Sequence, residues 1–596
     1  MTDDAYLGVE QSASGKRWRL READERIAQA HAQTLGVPDV VGRLLAAREV
    51  PLEDGDKYLK PTLKDLLPDP SVLNDMDRGA ARLADAIMTG QPVAIFGDYD
   101  VDGATSTALL TRFLRSVGGN VRIYIPDRMI EGYGPNTPAL TKLADEGAKV
   151  VITVDCGISA FEPLQAAADA GLDVIVVDHH EAEAALPAAH AIINPNRLDE
   201  DRALGHLAAV GVAFLLVIAT NRVLRTKDWF GDRPEPDLMQ WLDIVALGTV
   251  CDVVPLKGLN RAFVIQGLKI MASRGNPGLA ALSDIAKIDR KPETYHVGFV
   301  LGPRINAGGR VGQADLGATL LSSDDPAVAT DISGKLDHFN SERRAIEAMV
   351  QEQAVEQVEG LSEPPGALVV AANTGWHPGV IGIVASRLKD RFNLPSFVVA
   401  FDDDGVGKGS GRSIKGVDLG AAVIAARQAG LLINGGGHAM AAGITVARDQ
   451  YETLVAFLNE RLVPQVEALG TVRSLGIDGA LAVSGATADL IDLLQQAGPF
   501  GSANPEPRFA IPSARVVKAN VVGQGHVSCI FAGRGGGRLK GISFRTAETP
   551  LGICLLEAGQ REVHVAGHLR IDEWQGRRQA QIFIDDVIYA DHAKND

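Results

Sequence analysis

Asp98-Tyr99-Asp100-Val101-Asp102 puts three carboxylates within five residues, directly after the apolar run Pro92–Phe96. Like charges held this close resist ionising together. A divalent cation is the usual compensation, and carboxylate oxygen is its preferred hard ligand. The arrangement recurs: Val150–Val154 leads to Asp155, Asp173–Val177 to Asp178-His179-His180, and Ile244–Cys251 to Asp252. Imidazole is a common metal ligand, and a carboxylate beside it can fix its tautomer. Taken singly, Asp155 or Asp252 reads equally well as a helix N-cap. Together, four apolar segments ending in acid or His-His read as one metal site assembled from several loops.

Such a site needs a scaffold that brings segment ends together. Between residues 78 and 255, apolar runs alternate with helical patterns: strands at 92–96, 121–125, 150–154 and 173–177, helices at 104–116, 138–146 and 159–169. Strands separated by helices of this length imply βαβ units and a mainly parallel sheet. Ligands bind beyond the carboxyl ends of such strands, where all these carboxylates are expected. Residues 1–70 read as an N-terminal extension leading into a first α/β domain at 71–326. A long helical connector at 327–365, closed by Glu363-Pro364-Pro365-Gly366, feeds a second α/β domain at 366–470. From 471 to 596, short alternating runs split by glycine and charged turns read as a small β-barrel or sandwich.

Three glycine-rich stretches carry anion-binding chemistry. Leu301–Arg310 holds two guanidiniums (Arg304, Arg310) and Asn306 among flexible backbone amides; Gly407–Ser413 holds Lys408, Ser410 and Arg412; Asn434–Gly443 offers a run of N–H donors around Gly436, Gly437 and His438. None is a Walker A loop, so ATP is not implied.

The 596 residues are 46% hydrophobic with 64 glycines and 5% aromatics, which suits a multidomain α/β enzyme. Four cysteines form no CxxC, the N-terminus lacks a signal-peptide pattern, and Ala203–Ala219, the nearest approach to a membrane span, is interrupted by Gly205, His206 and Gly211. A cytoplasmic protein without membrane contact is expected. Net charge is −17, yet residues 501–580 carry eleven Lys/Arg against six Asp/Glu, enough to attract phosphates locally.

Gly97–Gly103, Asp155, Asp178-His179-His180 and Asp252 resemble the four motifs of the DHH phosphoesterase superfamily, and Gly435–Gly443 is similar to the glycine-rich signature of its DHHA1 domain. With the Leu301–Arg310 run and the C-terminal β-domain, the chain resembles the superfamily's bacterial single-strand-specific 5′→3′ DNA exonucleases from about residue 20 onward. The resemblance implies a DHH catalytic domain, a DHHA1 substrate-binding domain and an OB-like nucleic-acid-binding domain, acting in recombination and repair. It implies two Mn²⁺ or Mg²⁺ ions held by Asp100, Asp102, Asp155, His179 and Asp252, with Asp155 bridging and His180 facing the scissile phosphate. Some branches place a histidine ligand four residues before the middle aspartate; this chain has Phe96 there, and Asp98 is the candidate to fill that coordination position. By the same resemblance Arg310, Ser410, Arg412 and His438 grip the DNA 5′ end and nearby phosphates, while Arg128 and Tyr133 line the entrance; Arg304, Asn306, Gly436 and Gly437 of the glycine-rich stretches are further candidate substrate contacts. Phe500, Arg508, Phe509 and Trp574 are candidate strand contacts on the β-domain. Partners would be single-stranded DNA, single-strand-binding protein and a recombination helicase. The competing reading is a superfamily phosphohydrolase acting on short oligoribonucleotides, cyclic dinucleotides, pyrophosphate or polyphosphate. The extra, locally basic C-terminal residues favour a longer polymer.

Overall fold

The computed structural model describes residues 5–593 apart from 129, 232, 363–364, 471–472 and 575. The first domain is built on five parallel strands in the order Asn120–Tyr124, Pro92–Gly97, Val150–Val154, Asp173–Val177, Ala191–Ile193. Helices cover both faces, which explains why the inner strands Pro92–Gly97, Val150–Val154 and Asp173–Val177 read as largely apolar runs. One face packs against Met76–Thr89, Val101–Ser116 and Ala209–Thr226, the other against Thr137–Asp145 and Phe161–Asp169. Strand register sets the position of the acids. Gly97 pairs with Val154 and Val154 with Val177, so Asp98, Asp155 and Asp178 leave the sheet side by side at its carboxyl edge.

Asp252 arrives differently. The apolar run before it, grouped with the strand ends in the sequence, is the helix Leu242–Cys251, buried against Gly258–Ser273, Val101–Ser116 and Ala209–Thr226. Ala209–Thr226 is apolar and long enough to cross a membrane, but most of its length is buried in this core.

The connector is one helix, Pro326–Glu359, about 50 Å long at 1.5 Å per residue. It leads to a five-stranded sheet ordered Asn434–His438, Ala441–Ala447, Val406–Arg412, Ser396–Phe401, Val369–Thr374. All three glycine-rich stretches are regular structure rather than loops. Leu301–Arg310 is mostly the helix Gly302–Val311, and the other two supply strands Val406–Arg412 and Asn434–His438. Their amides are largely engaged in helix or ladder bonds, and the glycines serve close packing. A Cβ on Gly411 would meet Phe397 at 2.5 Å, and one on Gly309 the Tyr99 carbonyl oxygen at 2.5 Å.

The C-terminal strands Arg508–Val522, His526–Ala532, Arg538–Ser543, Arg577–Tyr589 and Glu562–Trp574 pair in that order, and the last returns to the first to close a barrel. Bulges at Val516/Lys518, Ile511/Ala514 and Ala566/Gly567 turn its corners. The N-terminal residues belong to this unit rather than simply leading into the first domain. Strand Lys16–Leu20 pairs in parallel with Arg473–Ile477, and fully buried Trp18 donates from Nε1 to Asp586 Oδ2 at 3.0 Å. Val41, Leu44 and Leu45 of helix Asp39–Ala47 share a core with Phe509 and Ile511.

Candidate metal centre

Asp100 caps the helix Val101–Ser116, accepting from the amides of Asp102 and Gly103 at 2.9 and 3.1 Å. The turn that makes this possible needs Gly103, whose Cβ would lie 2.4 Å from the Asp98 carbonyl oxygen. Asp102, fully buried, is held by the first amides of the helix Ala209–Thr226: Ala209 N at 2.6 Å and Val210 N at 2.9 Å. A helix N-terminus stabilises a carboxylate there. Asp155 follows its strand with a left-handed φ of 61°, and Val253, immediately after Asp252, also has φ 61°. For a β-branched residue this is a marked departure from the preferred regions, and such strain concentrates at functional sites.

These elements converge. His179 Nε2 lies 3.3 Å from Asp155 Oδ1, 3.5 Å from Asp252 Oδ2 and 3.9 Å from Asp102 Oδ2. Ligand atoms of Asp102, His179 and Asp252 lie within 4.8 Å of one another, as do those of Asp98, Asp100 and Asp155. Phe96, at the histidine position of other branches, is fully buried and stacked on Tyr124, while Asp98 stands in the second group.

Burial, then mutual repulsion, raises the carboxyl pKa values of the centre: Asp102 to about 7, Asp252 to about 9, Asp98 and Asp155 well above the usual range. Burial and the neighbouring His180 bring His179 down to about 4, so its ring is neutral and able to ligate. Asp98 Oδ1, Asp155 Oδ1, His179 Nε2 and Asp252 Oδ2 are buried without any hydrogen-bond partner. Buried polar atoms are ordinarily paired. Four orphans spread over the two adjoining groups, all oxygen or imidazole nitrogen, fit divalent cations.

Asp178 stays out of the cluster and organises it. It accepts from the amides of His179 and His180 at 2.8 and 3.2 Å, from Ile158 N at 3.1 Å, and pairs with His180 Nδ1 at 2.7 Å. Burial opposes ionisation of His180, but its bond to Asp178 outweighs that and raises its pKa to about 9. Its side chain is half exposed.

Around this opening the expected phosphate contacts divide. Arg310 is held by Gly379 O at 2.9 Å; burial and the neighbouring Arg128 and Arg343 lower its pKa to about 10. Arg412 lies across the cleft on the second domain, bonded to Ser410 Oγ at 3.1 Å. Arg128 stacks on Tyr99, 5.1 Å from its centroid, and the Tyr133 hydroxyl donates to Asp155 O at 2.9 Å. Asn306 is half-buried one helical turn before Arg310. Gly436, Gly437 and exposed His438 lie on the edge strand, whose register continues through Ala441 to Arg412. Arg304 corrects the sequence reading: it is buried and paired with Asp337 of the long helix at 2.9 Å, which makes it a clamp between helices. On the barrel, Phe509 is fully buried in the core and Arg508 is paired with Asp585, so neither is a free strand contact; Phe500 is half-buried, and the Trp574 side chain lies outside the described residues. Tyr99 and the Ala209–Val210 amides were not found from sequence, the amides because a backbone donor leaves no residue-type signal.

Comparison with known proteins agrees with this geometry. The chain matches the DHH family N-terminal domain over residues 92–249, the DHHA1 domain over 366–463 and the RecJ OB domain over 477–586. It is 38% identical to the single-stranded-DNA-specific exonuclease RecJ of Salmonella typhimurium, spanning 96% of this chain and 99% of that protein. Identity to the Escherichia coli protein of the same name is 37%, over 96% and 98% of the two chains. The crystal structure of RecJ from Thermus thermophilus in complex with Mn²⁺ superposes with a TM-score of 0.79 at 29% identity, over 96% of this chain and 79% of that one. With three matched domains in order and relatives above 30% identity along nearly its whole length, the chain belongs to the RecJ family of DHH/DHHA1 proteins.

Proposed function

We propose that the protein is a single-stranded-DNA-specific 5′→3′ exonuclease that hydrolyses phosphodiester bonds with two Mn²⁺ or Mg²⁺ ions, in DNA recombination and repair. The observation that carries this reading is the set of four partnerless buried ligand atoms, on Asp98, Asp155, His179 and Asp252, beside the cleft arginines. Asp98, Asp100 and Asp155 would hold one ion, and Asp102, His179 and Asp252 the other, with Asp155 between them. The names of the relatives and the Mn²⁺- and Mg²⁺-bound structures of the Thermus protein support both the substrate class and the metals.

When bound, such a pair would lower the pKa of water and neutralise charge building on the phosphate. The chain's own residues do the rest. Arg128, Arg310 and Arg412 bind phosphate oxygens from both domains and set the position of the strand. Asp178 fixes the orientation of the His180 ring, which would hydrogen-bond the scissile phosphate as negative charge develops there. Attack by water forms a new P–O bond and breaks the bond to the 3′ oxygen, releasing a nucleoside monophosphate and leaving a shortened strand. In this reading single-strand-binding protein and a recombination helicase work beside the enzyme by presenting unpaired strands, in the cytoplasm where the chromosome lies.

The test is digestion of single strands labelled at the 5′ or the 3′ end, with Mn²⁺, Mg²⁺ or chelator. A 5′ label should appear at once in mononucleotide while a 3′ label passes through progressively shorter strands, only with metal. Early release of the 3′ label, or equal cutting of blunt duplex, contradicts the proposal.

A further inference from the structure

From Thr294 to Val311 the backbone is continuously helical: Thr294–His296, a π turn at Val297–Leu301, then Gly302–Val311. Along it His296, Val297, Leu301, Arg304, Ile305, Ala307 and Gly308 are buried. Thr294, Tyr295, Gly298, Phe299, Val300, Pro303, Asn306, Gly309, Arg310 and Val311 remain exposed or partly exposed, and among them Tyr295, Phe299, Pro303, Asn306 and Arg310 recur at spacings of four, four, three and four residues. That spacing is a single stripe on a helix. Its first two members are unusual surface residues: Tyr295 is 58% and Phe299 69% exposed, their rings stacked with centroids 5.5 Å apart and planes 24° apart. Among the described residues neither ring belongs to a hydrophobic core cluster, and a π turn frequently marks a functional site.

The stripe connects two places already implicated in substrate handling. At one end Arg310 enters the cleft, and Gly309 lies against Tyr99, between the candidate ligands Asp98 and Asp100. At the other, the Thr294 hydroxyl donates to Phe500 O at 3.0 Å, joining the stripe to the approach to the C-terminal barrel. The π turn is anchored on the helix that carries Asp252: Cys251 Sγ lies 3.6 Å from Val297 O. From Tyr295 to Arg310 the stripe is about 22 Å long, enough for several nucleotides.

We infer that this stripe is the rail along which the single strand lies, with Tyr295 and Phe299 stacking on bases several nucleotides downstream of the cleaved bond. Stacking on aromatic rings is how proteins hold single strands without reading their sequence, since every base has a π face. The inference rests on the proposed single-strand activity and assigns residues outside the cleft to it.

The experiment compares wild type with the double variant Tyr295→Ala/Phe299→Ala and the ring-preserving pair Tyr295→Phe/Phe299→Tyr. A 5′-phosphorylated 20-mer and a 5′-phosphorylated dinucleotide are the substrates. A 20-mer carrying 2-aminopurine at successive positions, bound in the presence of chelator, reports stacking. The double alanine variant should raise KM and Kd for the 20-mer by about tenfold or more, with kcat/KM for the dinucleotide within twofold. Position-specific quenching of 2-aminopurine should vanish in it and return in the ring-preserving variant. Unchanged KM and Kd for the 20-mer, or a parallel loss on the dinucleotide, overturns the rail while the wild type still degrades single strands. A wild type that does not degrade single strands overturns the functional reading and the rail with it.

Discussion

Replacing Asp178 with asparagine should impair the metal centre although Asp178 is in neither ligand group. Its carboxylate is 1% exposed, and both oxygens are in use. Oδ1 accepts from the His179 and His180 amides and bonds His180 Nδ1; Oδ2 accepts from Ile158 N. An amide can accept on one side only, so its NH₂ must face a donor. Stranding one buried N–H costs about 1–3 kcal/mol, and losing the charge-assisted bond to His180 about 1.5–3 more. The second figure is reduced by solvent, because the His180 side chain is nearly half exposed. A total of about 2–4 kcal/mol results, with metal affinity or kcat falling about 10- to 100-fold through misplaced His179. The stability gap also has a pH signature. Burial alone would raise the Asp178 pKa, but the His180 bond reverses this to about 2, against 3.8 for a free carboxyl. Asp178 therefore contributes above 3.8, and that contribution is lost as pH falls through 2. His180, raised to about 9 from 6.5, contributes below 6.5 and loses that as pH rises through 9. Denaturant unfolding of metal-free protein should show the widest gap between wild type and Asp178→Asn at pH 4–6.5, alongside calorimetric Mn²⁺ titration and kcat. A variant with wild-type metal affinity, kcat within twofold and no pH-dependent gap would refute the reasoning.

Asp586→Ala should unfold the N-terminal segment together with the barrel. Asp586 accepts from Ser12 Oγ, Trp18 Nε1 and its neighbour's amide, and unpairing these buried donors costs about 3 kcal/mol; calorimetry and Trp fluorescence should report one earlier transition, and an unchanged Tm would contradict it. Arg304→Met breaks the pair to Asp337 and should lower Tm by several degrees, with KM for single strands within twofold. A large KM increase at unchanged Tm would instead make Arg304 a DNA contact.

Much of the centre was legible because its signal is chemical: acids and a His-His pair at the ends of apolar runs admit few explanations. The parallel sheet followed from alternation, and its register delivered Asp98, Asp155 and Asp178 together. Ile244–Cys251 misled because a fully buried helix has no polar face, and its apolar run cannot be told from a strand by periodicity. The glycine-rich runs misled for another reason. Gly407, Gly409 and Gly411 make room for Phe401, Ile444 and Phe397, a tertiary demand that resembles loop composition. The pairing of Lys16–Leu20 with Arg473–Ile477 spans most of the chain and has no local trace. The Tyr295–Phe299 stripe was hidden by the π turn within it and by the buried residues between its members.

The central claim is a pair of cations sharing Asp155, and Mn²⁺ electron paramagnetic resonance with calorimetric stoichiometry tests it most directly. Two ions about 3.5–4 Å apart should couple magnetically. Wild type should bind two Mn²⁺ per chain with a coupled spectrum, and Asp155→Ala should lose the coupling and hydrolysis while keeping wild-type circular dichroism. One Mn²⁺ per chain, two uncoupled ions, or an Asp155→Ala variant that still couples and cuts would contradict the account.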